Sequence, residues 1–290
     1  MPNPEQGTAR AFALRLLNKV PEVTLFFWVI KVLCTTVGET AADFLNTNLH
    51  MGLTNTTYIM SILLVIALGF QFKAKKYVPV IYWLAVVLIS VVGTLITDNL
   101  TDNFGISLVT TTIVFSLALA MTFMAWYAKE KTLSVHTIFT ARREGFYWLA
   151  ILFTFALGTA SGDLIAEKLN LGYMLSAVLF GALIAVVGVA HLRLKWNVVL
   201  TFWSAYILTR PLGASLGDYL SQSRDDGGLA LGTIGTSAIF LVAILGLVIY
   251  LTITKRDVCP LTAPAPAPVI SVTGARQLAP VTVLVDDELD

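Results

Sequence analysis

Residues 148–163 read WLAILFTFALGTASGD. The stretch opens on a tryptophan, reaches a glycine ten residues later and ends on an aspartate five residues after that. The same spacing recurs at Trp28–Gly38–Asp43, Trp83–Gly93–Asp98 and Trp203–Gly213–Asp218, making four sets with Trp148–Gly158–Asp163. An aromatic residue precedes each tryptophan: Phe27, Tyr82, Tyr147 and Phe202. A spacing kept at four places is the mark of internal repetition. It sets four carboxylates at equivalent points of one architecture.

The residues between the motif positions are almost all apolar, and so is the chain. It is 57% hydrophobic and 13% charged, with a mean hydropathy of +0.79, which is the composition of a membrane protein. A span needs about 20 mostly apolar residues. Such stretches fall at 23–45, 56–72, 78–98, 106–127, 145–166, 174–191, 197–219 and 233–254. The motif sits on the odd helices. Two helices per repeat make every odd helix run the same way, so the repeats are parallel and related by an axis along the membrane normal. The expected fold is an all-α membrane protein with eight transmembrane helices, arranged as four parallel two-helix repeats around a pseudo-symmetry axis.

Lysine and arginine set the orientation. Arg10, Arg15, Lys19, Lys73, Lys75, Lys76, Lys129, Lys131, Arg142, Arg143, Arg193, Lys195, Lys255 and Arg256 would share one side, against Lys168 and Arg224 on the other. The positive-inside rule then places both termini in the cytoplasm, in agreement with an even helix count.

The expected organisation is a cytoplasmic segment at 1–18 and a membrane domain at 19–254. The repeats lie at about 19–76, 77–131, 142–195 and 196–254. The four motif tryptophans stand 55, 65 and 55 residues apart, and the extra ten fall within 129–144. The proline-alanine run at 263–268 marks 255–290 as an expected disordered cytoplasmic tail. Cys34 falls within a span and Cys259 in the tail, so no disulfide between them is expected. His50, His136 and His191 show no ligand spacing and read as surface residues. No nucleotide loop, haem site or nucleic-acid patch appears, and no enzyme is expected.

Each motif position has a physical reading. Trp28, Trp83, Trp148 and Trp203 read as interface anchors. Gly38, Gly93, Gly158 and Gly213 read as packing positions. With Gly162 and Gly217 the last two form GxxxG pairs, and with Ala42 and Thr97 the first two form small-xxx-small pairs, whose shared face lets backbones approach closely. Asp43, Asp98, Asp163 and Asp218 follow at once, at a helix end where the dipole disfavours a carboxylate. Glu39 shares a helix face with Asp43. Asp102 and Glu167 stand four residues after their aspartates, in expected loops. Carboxylates with the nearby hydroxyls of Thr40, Thr94, Thr97, Thr159, Ser161 and Ser215 form a hard-oxygen set, suited to protons, Na⁺, Mg²⁺, Ca²⁺ or Mn²⁺.

Lys31, Glu39 and Arg210 break the fourfold pattern. In repeat register Arg210 lies four residues below Glu39, about 6 Å by helical rise. A Glu39–Arg210 ion pair between the first and seventh helices is expected. It reads either as structural neutralisation or as a gate that a cation or proton opens. Pro211 makes a weak point in the seventh helix.

KVPEVTLFFW with GETAAD, YWLAVV with GTLITD, YWLAIL with GTASGD, and FWSAYI with GASLGD resemble a family of bacterial multi-pass membrane proteins described as a tandem repeat of unknown function. The resemblance covers about residues 19–254. It implies a bacterial inner-membrane location and brings with it neither an activity nor site residues.

The leading expectation is therefore a transporter or exporter of a small cation, divalent or proton-coupled. Its ligands would be Asp43, Asp98, Asp163, Asp218 and Glu39, and its surroundings the lipid bilayer, with no nucleic acid. A divalent cation would be substrate or ligand. The alternatives are a non-transporting membrane sensor or assembly component and, more remotely, an intramembrane aspartyl protease using facing aspartates.

Overall fold

A computed structural model describes residues 18–258. The chain divides into a unit through Cys259 and a second from Pro260 to Asp290. The expected segment at 1–17 and the tail from 259 onward, with Cys259, lie outside the described residues.

The described residues are helical and contain no strand. Eight long helices follow one another: α1 Leu25–Asp43, α2 Leu53–Lys73, α3 Pro79–Asp98, α4 Leu108–Glu130, α5 Ala141–Asp163, α6 Tyr173–Leu194, α7 Val198–Ser221 and α8 Gly232–Thr254. Each lies within a few residues of its expected stretch. Local chemistry sets several starts. The side chains of Thr24, Ser107, Thr140 and Asn197 accept hydrogen bonds from backbone N–H groups in the first turns of α1, α4, α5 and α7. Each such cap contributes about 1 kcal/mol. Pro79 opens α3, where its missing N–H costs nothing. All but α7 are long and apolar enough to cross a membrane. Helix α7 falls short because Thr209, Arg210 and Asp218 interrupt its apolar run, and all three are buried. It runs unbroken through Pro211.

The odd helices form an inner ring. Helix α1 packs on α3 and α7, and α5 packs on the same two. The even helices lie outside. Each rests on the odd helix that follows it in sequence, and α8 rests on α1. Their outward faces carry large exposed apolar side chains, among them Ile62, Val65, Leu117, Met121, Val186 and Val242.

Close approach in the ring comes from the first glycine of each set. A Cβ on Gly93 would stand 2.6 Å from the Cβ of Phe155. On Gly38 it would strike Ser90, on Gly158 Arg210, and on Gly213 Thr35. Those four side chains all lie seven residues after their tryptophans. The contact therefore passes around the ring in one sense and closes. The second glycines are looser: a Cβ on Gly162 would meet Pro211 at 3.5 Å and one on Gly217 would meet Glu39 at 3.3 Å.

The tryptophans are not placed as interface anchors would be. Trp83, Trp148 and Trp203 are 1%, 3% and 4% exposed, and Trp28 is half-buried. They belong to the inner helices, whose side chains face one another, while the outer helices supply the exposed apolar face. Trp203 packs edge-on against Phe123 at 4.9 Å and Trp126 at 5.8 Å, and its indole N–H donates to the Leu133 carbonyl at 3.0 Å.

Polar contacts with no fourfold counterpart cover this tryptophan end. The Lys19 ammonium is 2.7 Å from the Glu144 carboxylate and donates to the Phe72 carbonyl at 2.9 Å. Gln71 donates to the other oxygen of Glu144 at 3.1 Å. The Tyr77 hydroxyl donates to the Asp257 carboxylate at 2.6 Å. Burial pushes that carboxyl up, and the tyrosine pulls it part of the way back. His136 lies 3.5 Å from Glu22, His191 lies against the Trp196 carbonyl and His50 is exposed.

Candidate functional site: an acidic vestibule on the ring axis

Along each odd helix the inward side chains recur every four residues, so that one stripe faces the ring centre. The stripes read Phe27–Lys31–Thr35–Glu39–Asp43, Tyr82–Val86–Ser90–Thr94–Asp98, Tyr147–Ile151–Phe155–Thr159–Asp163 and Phe202–Tyr206–Arg210–Ala214–Asp218. They stack as five layers over about 24 Å of helical rise. Every residue of the first four layers is buried.

The aspartates open onto a cavity of about 530 Å³. All four line it, with Glu39, Asp102 and Glu167 adding carboxylates and Lys168 one ammonium. Glu39, Asp163 and Asp218 come closest, each offering an oxygen within 4.8 Å of the others. Asp43 and Asp98 line the same wall outside that triangle, and Gln222 reaches the Asp43 carboxylate at 3.5 Å. Asp102 and Glu167, expected in loops, lie instead in π-helical turns. Three such turns, Phe44–Asn48, Asn99–Asn103 and Leu164–Lys168, directly follow Asp43, Asp98 and Asp163. The helices thus continue past these aspartates. In the wider π turn residues four apart stay near one face, which keeps Asp102 and Glu167 over the cavity.

Arg210 forms the floor. Its guanidinium donates to Glu39 at 2.7 Å, to the Thr159 hydroxyl at 2.6 Å, and to the Thr94 hydroxyl. A further N–H reaches the Thr35 carbonyl at 3.4 Å. Glu39, Thr94 and Thr159 hold one position in three different stripes, so three helices share a single cation contributed by the fourth. The fourth counterpart, Ala214, lies on the arginine's own helix and brings no oxygen. The register alone gave the nearness of Glu39 and Arg210. It gave no reason to choose Thr94 and Thr159 from the many hydroxyls, because their role depends on the reach of one side chain.

Lys31 lies a layer lower and apart from Glu39. Its ammonium stands 4.1 Å from the centre of the Phe155 ring and 4.2 Å from that of Tyr206. It has no hydrogen-bond partner. The Arg210 guanidinium lies 5.8 Å from the same Phe155 ring. Below Lys31 the axis is filled by rings: the Tyr82 and Tyr147 hydroxyls are 2.6 Å apart, and Phe27 and Phe202 pack at 5.9 Å. The opposition of acids above and rings below was legible from the aromatic residue before each tryptophan and the aspartate after each glycine.

A second cavity, of about 680 Å³, lies at the tryptophan end between α1, α6 and α7. Its walls are mainly apolar, and none of the aspartates borders it.

No curated protein and no solved structure matches this chain. The family described as Repeat of Unknown Function (DUF347) matches it four times, at 26–77, 81–132, 146–196 and 201–257. Each match runs from an odd helix through the even helix after it, so the family's unit carries one inner stripe and one outer helix. With four units covering most of its length, the chain belongs to this family of tandem repeats.

Proposed function

We propose that this chain is a multi-pass protein of a bacterial inner membrane that binds and moves a small cation. Both termini face the cytoplasm and the vestibule faces the opposite side. The apolar faces of the even helices support the membrane placement, since lipid is the solvent that suits them. The basic residues cluster in the connections at the tryptophan end, as the positive-inside rule requires of a cytoplasmic face. The protein acts as a carrier and not as an enzyme.

One observation carries the reading: Glu39, Asp163 and Asp218 offer oxygens within 4.8 Å of one another, directly above Arg210. Hard divalent cations such as Mn²⁺ and Mg²⁺ favour carboxylate oxygens, and intramembrane acids mark ion pathways. Glu39 is already shared with Arg210, so an arriving cation competes with the guanidinium for it. The Glu39–Arg210 pair then works as a gate. Mn²⁺ binding to the purified protein and Mn²⁺ flux into proteoliposomes test the proposal. Asp163→Asn with Asp218→Asn is expected to weaken binding at least tenfold and to abolish flux. A double variant that binds and transports like the parent overturns the site.

A second reading, cation sensing without transport, draws on the closed floor. Arg210 and the ring-filled layers beneath it leave a bound ion no open route along the axis. Binding without flux in the unaltered protein would favour it.

A further inference from the structure

Two buried cations share the axis, and only one has a carboxylate. Arg210 holds Glu39, whereas Lys31, 1% exposed, faces two aromatic rings and no acceptor. Both lie over Phe155. The titratable and charged groups around Lys31 are Cys34 on its own helix, Tyr206 and Arg210 on α7, Tyr147 on α5 and Tyr82 on α3. Helix α8, packed on the far side of α1, offers only Tyr250, against Phe26. None of these is a carboxylate, and one is a permanent cation.

We propose that Lys31 carries the proton this protein exchanges for its cation. The inference rests on the reading of Glu39, Asp163 and Asp218 as the cation site. A cation bound at Glu39 takes from Arg210 the carboxylate it is paired with. The guanidinium cannot shed its charge by losing a proton, whereas an ammonium can. The positive charge left on the axis is relieved when Lys31 Nζ gives its proton to water and remains as the neutral amine. When the cation leaves, Glu39 again neutralises Arg210 and the amine takes a proton back. Cation and proton thus occupy the axis alternately, which is the condition for exchange. Phe155 and Tyr206 suit both states of Lys31, because their faces attract the ammonium and pack against the neutral stem.

The measurement is proton release into weakly buffered solution, read with an indicator dye, as purified full-length protein is titrated with Mn²⁺. Metal binding at carboxylates releases protons of its own, so the comparison is between variants. Lys31→Met should still bind Mn²⁺, at equal or higher affinity, and should release about one proton fewer per Mn²⁺ than the parent. Lys31→Arg, a fixed cation, should lose the same proton and bind Mn²⁺ at least tenfold more weakly. Should one of the two fail to fold, by size-exclusion profile, the other still decides. Unchanged proton release with Mn²⁺ binding intact overturns the assignment of Lys31 alone. Absence of Mn²⁺ binding by the parent overturns the cation site together with it.

Discussion

At the top of the ring the four equivalent side chains are Asp43, Asp98, Asp163 and Asp218. Sixteen residues lower they are Phe27, Tyr82, Tyr147 and Phe202. The top layer encloses a cavity, and the bottom layer fills its own centre. Both ends keep the fourfold character of the repeat: four acids above, four rings below. Between them it fails. Lys31 stands where the other stripes have Val86, Ile151 and Tyr206, and Arg210 where they have Thr35, Ser90 and Phe155. Duplication supplies the frame at the two ends, and single departures in the middle supply the buried charges Lys31, Glu39 and Arg210. Chemistry in this molecule is therefore to be sought where the symmetry is broken.

The largest effect is expected at that break. Arg210→Met leaves the Glu39 carboxylate at 6% exposure without its guanidinium, together with two hydroxyls that lose their donor. Removing one partner of a buried pair costs about 3–5 kcal/mol. Chemical unfolding in detergent should show a loss of that size, and Arg210→Met with Glu39→Gln should recover most of it. A double variant as weak as the single one would mean that packing of the arginine stem, not charge, holds the floor.

Next come the glycines, which compare tight and loose contacts on one helix. A methyl at Gly158 meets the stem of Arg210 inside van der Waals distance, with Pro211 at 3.1 Å beside it, whereas one at Gly162 meets Pro211 at 3.5 Å. Gly158→Ala should cost about 1–3 kcal/mol, the usual range for overpacking. Gly162→Ala should be neutral or slightly stabilising, since alanine is the better helix former. Thermal unfolding of the two variants checks the order. Equal losses would remove the distinction between the two glycine positions.

These contrasts also mark what the sequence could disclose. Apolar stretches and the tryptophan-glycine-aspartate spacing located the helices and the inward acids, and register put Glu39 near Arg210. Hydropathy, however, measures how apolar a helix is and not which neighbour it faces. The tryptophans accordingly read as anchors, although the ring turns three of them inward. The contact of α8 with α1 joins the last helix to the first, and no local pattern announces it. The contact of Lys19, Glu144 and Gln71 escaped for another reason: the matching positions of the other repeats carry different residue types, so periodicity did not single them out.

At the aromatic end the expected effect is smaller. Tyr82→Phe removes the 2.6 Å contact and leaves the Tyr147 hydroxyl buried without it. A single neutral hydrogen bond contributes about 1 kcal/mol. Because both rings still fill the layer, unfolding should show a loss near that value and Mn²⁺ binding should not change. A change in binding would mean that the two ends communicate more closely than their separation suggests.

The smallest effect concerns the basic rim of that end. Lys131, Lys195 and Lys255 terminate α4, α6 and α8 in the left-handed conformation, with φ of 57°, 53° and 53°. Glycine is the residue that adopts this conformation without strain, and helices commonly end on it. Three lysines at three equivalent ends accept the strain, so something other than backbone preference keeps them there. A cation is favoured at a helix C-terminus and, in a membrane protein, on the cytoplasmic rim. Lys195→Gly should therefore raise stability in detergent by about 0.5–1 kcal/mol while removing one rim charge. If the variant is instead less stable by that amount, the lysine is holding the helix end itself, and the basic rim is a consequence of capping and not of orientation.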